Sequence, residues 1–441
     1  MVRDFTFDRK QLISNFFSLS SIEMANYLFP LITVPYLVRV LGPTNYGLVA
    51  FAMAFVQYFV IFTDYGFNLT ATRSISVSRG DPAKLARIFS AVMAVKFTIM
   101  AASLAVLIVL VWAFQKFRPD FLLYLFAFGL TFGYVLFPIW FFQGIEKMKS
   151  IAVLNLLGRA LFLIAILFFV RKESDYLYVP LFTSFGSILV GVVSLCIIFT
   201  RFKIRVVLPT IREMGKQLKD GWNVFISKIS ISLITTSNTF ILGFFATTGV
   251  IGYFSAGEKI IDLASRAFSP ILVAVFPHIA KIAEVAKDIA LEKLRKIFVM
   301  VMLSSLVVFA GMFIFSDPIV RIVLGPKFDN SITIVRILSP LVFVVPLAYI
   351  FANLGLLPFG LDRYFARIYI SGGILNIALL FTLLYLFEAG AAGVAFSVLV
   401  TQVTITTLMY IVLRRHDIKI VNIDVWSLLA VFEKKGITDN H

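Results

Sequence analysis

Apolar residues run along this chain in long stretches separated by short polar connections, and each stretch approaches the roughly 20 residues that a helix needs to cross a bilayer core. Six such runs occupy residues 11–38, 45–68, 88–113, 121–142, 150–170 and 177–200. A basic connector from Arg201 to Asp220 follows, and six more occupy 220–244, 249–276, 297–316, 333–356, 366–387 and 391–413. The pattern predicts an all-α polytopic membrane protein with about twelve transmembrane helices in two six-helix bundles. The expected division is an amino-terminal lobe over 1–205, a carboxy-terminal lobe over 206–416 and a cytoplasmic amphipathic tail over 417–441. In that tail Val425, Leu428, Leu429 and Phe432 share one helical face, which suits either the membrane interface or packing against the bundle. Met1 to Lys10 is polar and leads into the first run without a small-residue cleavage site, so a retained helix is expected there.

Composition narrows this further. Of 441 residues, 60% are hydrophobic and 15% charged, with a mean hydropathy of +0.95. That leaves too little polar surface to cover a water-facing globule, and connections this short exclude a large extramembrane domain. A net charge of +16 would suggest nucleic acid in a soluble chain, but here topology explains it. With the amino terminus inside, 27 of the 40 lysines and arginines fall on the cytoplasmic side and 8 outside. Both termini are therefore expected in the cytoplasm, with no nucleic-acid partner. Trp112, Trp140 and Trp222 fall at span ends and are expected as interface anchors. A single cysteine, Cys196, and three scattered histidines provide neither a disulfide framework nor a metal cluster, and no cofactor is expected.

Ionisable groups at membrane depth are costly, so each mid-span charge is a functional candidate. At 100° per residue, Glu258, Lys259, Asp262 and Arg266 lie within one 100° arc of span eight. They read either as a cavity wall or as an internal salt-bridge ladder. Gln57, Asp64 and Asn68 share a face of span two, and Lys228, Ser232, Thr235 and Thr239 share a face of span seven. Span one offers Glu23, Asn26 and Tyr27, with Pro30 and Pro35 able to kink it. These spans hold equivalent positions in the two halves, and Gly47–Phe51 (GLVAF) and Gly252–Ala256 (GYFSA) form a weak repeat 205 residues apart. The expectation is one polar cavity between the halves. Lys96 and Arg159 are isolated and read as snorkelling or structural residues, and His278 as an interface residue. Arg39 and Arg73, at opposite ends of their spans, read as interface anchors or as guards of the cavity mouths. A phosphate-cradling G-x-x-x-x-G-K-[ST] loop, an H-E-x-x-H helix and a long outer loop with paired carboxylates are all absent, which favours solute movement over bond chemistry.

The stretch from Phe29 to Ser76 contains PYLVRVLG (35–42), YG (46–47) and DYGFNLTATR (64–73), and SPILVAVFPHI (269–279) ends span eight. These motifs resemble the polysaccharide-unit flippases known as Wzx, of the MOP superfamily that also includes the MATE drug exporters and the lipid II flippase. The resemblance implies a non-enzymatic carrier of the bacterial inner membrane. It would move undecaprenyl-diphosphate-linked oligosaccharide from the cytoplasmic to the periplasmic leaflet by alternating access, driven by membrane potential, ion antiport or both. The family's cationic cavity would map onto Lys228, Lys259 and Arg266, with Arg39, Arg73 and Asn68 as further substrate-binding residues. Glu23, Asp64, Glu258 and Asp262 would then either couple an ion or pair with the basic residues. Implied partners are the lipid-linked oligosaccharide, the bilayer, a glycan polymerase and a chain-length regulator. A MATE-like cation-coupled drug antiporter and a membrane glycan polymerase or ligase remain the rival readings.

Overall fold

The computed structural model describes residues 9–421, with side chains from Tyr27 onward except those of residues 274, 277, 278, 280, 284 and 285. Among the described residues the chain is helical and without strands, as a chain that must satisfy its backbone inside lipid requires. The helix α1 (Arg9–Asp64) is a double element: Gly42 at φ 69° and ψ 174° turns the chain where a side-chain-bearing residue would be strained. After the left-handed pair Tyr65 and Gly66 come α2 (Phe67–Val77), α3 (Pro82–Ala113), α4 (Phe121–Leu136), α5 (Ile139–Gly144), α6 (Met148–Phe169) and α7 (Tyr178–Thr200). An extended connector leads to the second bundle. It comprises α8 (Ile211–Thr235), α9 (Ser237–Phe245), α10 (Thr248–Arg266), α11 (Ser269–Val285), α12 (Lys287–Ile314), α13 (Ser316–Val323), α14 (Ser331–Leu338), α15 (Leu341–Tyr349), α16 (Asp362–Phe381) and α17 (Gly390–Arg415).

Eight described helices are long and apolar enough to span a membrane, or ten when the bent pairs α8–α9 and α14–α15 each make one span. The difference from twelve has two physical sources. The 51-residue stretch Tyr27–Val77 would reach about 77 Å at 1.5 Å per residue, more than two bilayer cores, and Gly42 divides it. The α10 helix carries four charges and so fails on hydropathy while continuing the span pattern into α11. Breaks also recur where the sequence removes a backbone donor: Pro138 separates α4 from α5 and Pro340 separates α14 from α15.

The tryptophans divide. Trp112 and Trp222 are exposed near helix ends, as interface anchors are, but Trp140 is fully buried against Phe89 and Phe141. The break at Pro138 turns its short helix into the first bundle, so the anchor expected from its place in the run is a core residue instead.

Between the bundles, the part of α1 after Gly42 forms a continuous seam with α10, α9 and α8. At one end, a Cβ on Gly47 would lie 1.8 Å from the Thr248 carbonyl oxygen, and one on Gly252 would lie 2.0 Å from that of Pro43. Next come Phe51 and Phe55, stacked on Phe240 at 5.8 and 5.4 Å, and then a 2.7 Å hydrogen bond between the Tyr58 hydroxyl and Ser237 Oγ. At the other end Tyr65 stacks on Phe225 at 4.4 Å. The bundles therefore meet along the part of α1 that follows Gly42. The expected tail helix over 425–432, and the side chains of Glu23, Asn26 and His278, lie outside the described residues.

Candidate functional site

Two polar cavities flank this seam. The first, of about 300 Å³, is lined by Gln57, Asp64 and Asn68 from the first bundle, by Lys96 of α3, and by Lys228 and Ser232 of α8. Lys228 donates to the Asp64 carboxylate and so ties the two bundles together across the cavity. Lys96 is 3% exposed, and its Nζ donates to the Tyr134 carbonyl at 3.1 Å. That carbonyl is available because the residue four positions later is Pro138, which has no N–H to complete the helical bond. The proline break thus creates an acceptor that holds an ammonium group at membrane depth. With two lysines against one aspartate, the lining carries net positive charge.

The second cavity, of about 710 Å³, lies against the second bundle and is lined by Tyr27 of α1, Asn238 and the charged face of α10. Asp262 accepts from Lys259 at 3.5 Å and from Arg266 one turn on, so a single carboxylate faces two cations. Glu258 and Asn238 share the lining of this cavity. Two acids and two bases leave this lining formally neutral.

A bend organises the polar floor. The axes of α8 and α9 differ by 53° across Thr236. Beside this bend, carbonyls of α8 take side-chain partners: Leu233 accepts from Asn376 Nδ2 at 2.9 Å and Ile234 from Asn238 Nδ2 at 2.9 Å. Asn376 Nδ2 also donates to Asn238 Oδ1 at 2.9 Å, and the Thr401 hydroxyl donates to Asn376 Oδ1 at 3.3 Å. A chain of side-chain hydrogen bonds thus runs from Asn238 on α9 through Asn376 on α16 to Thr401 on α17.

Ile231 and Thr235 line both cavities, so α8 is their common wall. The single cavity expected from the sequence is therefore two compartments. Lys228, Asp64 and Asn68 come together in the first; Lys259, Arg266, Glu258 and Asp262 come together in the second. Arg39 and Arg73 line neither. The Arg39 guanidinium donates to the Ile322 carbonyl, pinning the first bundle to α13, and Arg73 is exposed beyond Tyr65. Lys96 enters the first cavity, although its isolation in the sequence pointed to a snorkelling role. Asn376 and Thr401 had no such signal beyond being polar residues inside apolar runs. Among the described residues no group of three His, Cys, Asp or Glu side chains is placed to hold a metal ion.

Residues 12–283 match the family described as polysaccharide biosynthesis protein. An Escherichia coli (strain K12) protein named "Putative O-antigen transporter" is 30% identical over 415 residues, covering 93% of this chain and 99% of the relative. A Shigella dysenteriae protein of the same name is 28% identical, covering 90% and 98%. Among solved structures, "Lipid II flippase MurJ, inward closed conformation" superposes with a TM-score of 0.72 at 15% identity, covering 98% of this chain and 93% of that one. An inward-facing multidrug resistance MATE family transporter of the MOP superfamily gives 0.64 at 14% identity, covering 90% and 98%. The chain has the MOP fold and belongs to the polysaccharide biosynthesis protein family.

Proposed function

We propose that the protein is a flippase, not an enzyme, and that it carries an undecaprenyl-diphosphate-linked oligosaccharide from the cytoplasmic to the periplasmic leaflet of the bacterial inner membrane. The observation that carries this reading is the net-positive cavity at the seam, where Lys96 and Lys228 face one carboxylate at membrane depth. A diphosphate bound there would gain charge-assisted hydrogen bonds from both ammonium groups. The relatives named as O-antigen transporters support the glycan as cargo.

The physical task matches the fold. Each sugar hydroxyl left unpaired in hydrocarbon costs several kcal/mol, so a headgroup does not cross unaided. Polar cavities remove that penalty while the lipid tail stays in the bilayer. The excess of lysine and arginine on one side supports an orientation with the Gly42 turn periplasmic and both termini cytoplasmic. On that orientation the Gly47–Gly252 junction, the Arg39–Ile322 bond and the 2.7 Å Lys327–Glu173 ion pair close the periplasmic side. Alternating access then consists of opening this seam and closing the opposite end. With the cell interior negative, outward movement of an anion is favoured by about 2.3 kcal/mol per charge per 100 mV. The neutral second cavity, with Glu258 and Asn238 both in its lining, is the better place for a coupling cation than for the diphosphate.

The test is a proteoliposome assay that scores headgroup access to an external enzyme. Protein-dependent translocation of a lipid-linked oligosaccharide supports the reading. Protein-dependent extrusion of cationic drugs with no glycan movement would favour the MATE-like alternative instead.

A further inference from the structure

A cavity of about 510 Å³ lies at one end of the first bundle, between the turn that joins α5 to α6 and the last residues of α7. Three cations, Lys147, Lys149 and Arg201, line it with one carboxylate, Glu146, so the lining carries net positive charge. Glu146 also accepts from Arg79 at 2.9 Å, and Arg79 stands outside the lining, so this carboxylate is shared with a fourth cation. The cavity has no lining residue in common with either cavity at the seam.

Its depth in the bilayer selects the class of anion. The 22 residues of α6 extend about 33 Å at 1.5 Å per residue, close to one hydrocarbon core of about 30 Å. The first turn of α6, which carries Lys149, therefore stands at headgroup level, and so does Arg201 just past the end of α7. Inward from these charges the lining becomes apolar, with Val153, Leu154 and Ile197. Val153 is 46% exposed and Leu157, one turn further along α6, is 52% exposed, so the apolar wall continues as a lipid-facing surface. A free phosphate ion would use the charged rim and leave this wall bare. A lipid with an anionic phosphodiester uses both, its phosphate among the cations and its acyl chains on the wall. A zwitterionic headgroup would bring a further cation to a rim that already holds three.

The turn also reaches toward the seam. Phe202, in the same lining, packs on Phe141 and Phe142 of α5 at 5.9 and 6.3 Å, and the Lys147 amide donates to the Phe142 carbonyl at 2.8 Å. The helix α5 begins at Ile139, which lines the Lys96–Lys228 cavity. A headgroup bound at the turn thus rests on the element that borders that cavity and fastens it.

We propose that this cavity binds an anionic phospholipid, of the phosphatidylglycerol class, from the leaflet at the α5–α6 turn, which is the cytoplasmic one on the orientation adopted above. The site is separate from the transport route, and the inference requires only the membrane-spanning fold.

The full chain in a neutral detergent, titrated with dioleoylphosphatidylglycerol or dioleoylphosphatidylcholine while thermal unfolding is followed, tests it. Phosphatidylglycerol is expected to raise the unfolding midpoint, with half-saturation at about tenfold lower mole fraction than phosphatidylcholine. Lys147→Gln with Lys149→Gln and Arg201→Gln is expected to bring the two lipids within about twofold of each other. Arg363→Gln with Arg367→Gln and Arg415→Gln removes the same charge from exposed positions elsewhere and is expected to keep the preference. Equal action of the two lipids on the wild type overturns the inference without needing any variant. Retention of the preference in the first triple variant overturns it, and so does an equal loss in both, because a diffuse surface field behaves that way. A matching shift from inorganic phosphate, against chloride at the same ionic strength, would make this a site for free anions and overturn the lipid assignment. Half-saturation by undecaprenyl diphosphate at a lower mole fraction than phosphatidylglycerol would make it an entry site for cargo and overturn the assignment too.

Discussion

Gly47 and Gly252 meet backbone to backbone across the two bundles: a Cβ on Gly47 would stand 2.5 Å from the Gly252 amide nitrogen and 1.8 Å from the Thr248 carbonyl oxygen. These are the opening glycines of the weak repeat GLVAF and GYFSA. Each half thus contributes the same small residue to the junction, which lets two helices approach without intervening side chains. Gly252→Ala is expected to force this junction apart. In a Cys196→Ser background with Asn45→Cys, impermeant maleimide added from outside should label the Gly252→Ala protein faster, and glycan translocation should fall about tenfold. Unchanged labelling would show that the junction does not hold the closed state.

The ion pair between Asp64 and Lys228 has side chains 16% and 31% exposed, intermediate between a surface pair and a sealed one. Removing one partner should cost more than the ~1 kcal/mol of an exposed pair and less than the ~3–5 kcal/mol of a buried one. Lys228→Met is therefore expected to lower the unfolding midpoint, and Lys228→Met with Asp64→Asn to recover most of it without recovering translocation. A double variant that regains both would make the pair a strut only.

The buried Asn376 amide joins the Leu233 carbonyl to the Asn238 side chain and accepts from Thr401, so Asn376→Leu keeps the volume and loses all three bonds. Interhelical bonds of this kind in membranes average about 0.6 kcal/mol and reach about 1.7. The variant should unfold at a lower temperature and lose any dependence of transport on the coupling cation. Retained cation dependence would separate this chain of hydrogen bonds from coupling.

Outside the membrane, Thr210 and Glu213 form a reciprocal cap on α8. The Glu213 carboxylate accepts from the Thr210 amide at 2.8 Å and the Thr210 hydroxyl at 2.9 Å, which holds its pKa below the ordinary carboxylate value. Because the folded value is depressed, the cap's stabilisation is complete above the unfolded pKa of about 4.3 and is lost as pH falls through the folded value. Amide exchange in the first turn of α8, corrected for intrinsic rates, should lose protection only in that acid window. Glu213→Gln should flatten the dependence, and an unchanged profile in the variant would exclude the cap as its source.

The spans, the α10 charged face and the paired glycines could be read from the chain because each depends on local periodicity or on a repeated motif. Other features depend on a distant residue. Lys96 looks solitary along α3, and its place in the first cavity follows from Pro138 leaving a carbonyl free on α4. Periodicity likewise put Asp64, Lys228 and Glu258 on plausible inward faces but could not show that α8 stands between them as a wall. Trp140 read as an interface anchor because its helix seemed to run on, whereas Pro138 breaks it and turns the indole inward. Arg39 and Arg73 carried the correct charge for a cavity mouth but stand at the seam's margins.

The central claim is that the diphosphate is held by the net-positive cavity at the seam. Its most direct test is headgroup translocation in proteoliposomes by Lys96→Met, Lys228→Met and Lys259→Met, each at wild-type protein amount. Loss of about tenfold or more in the first two is expected, with a smaller loss in Lys259→Met because that lysine already shares Asp262 with Arg266. Wild-type translocation by both Lys96→Met and Lys228→Met would contradict the claim.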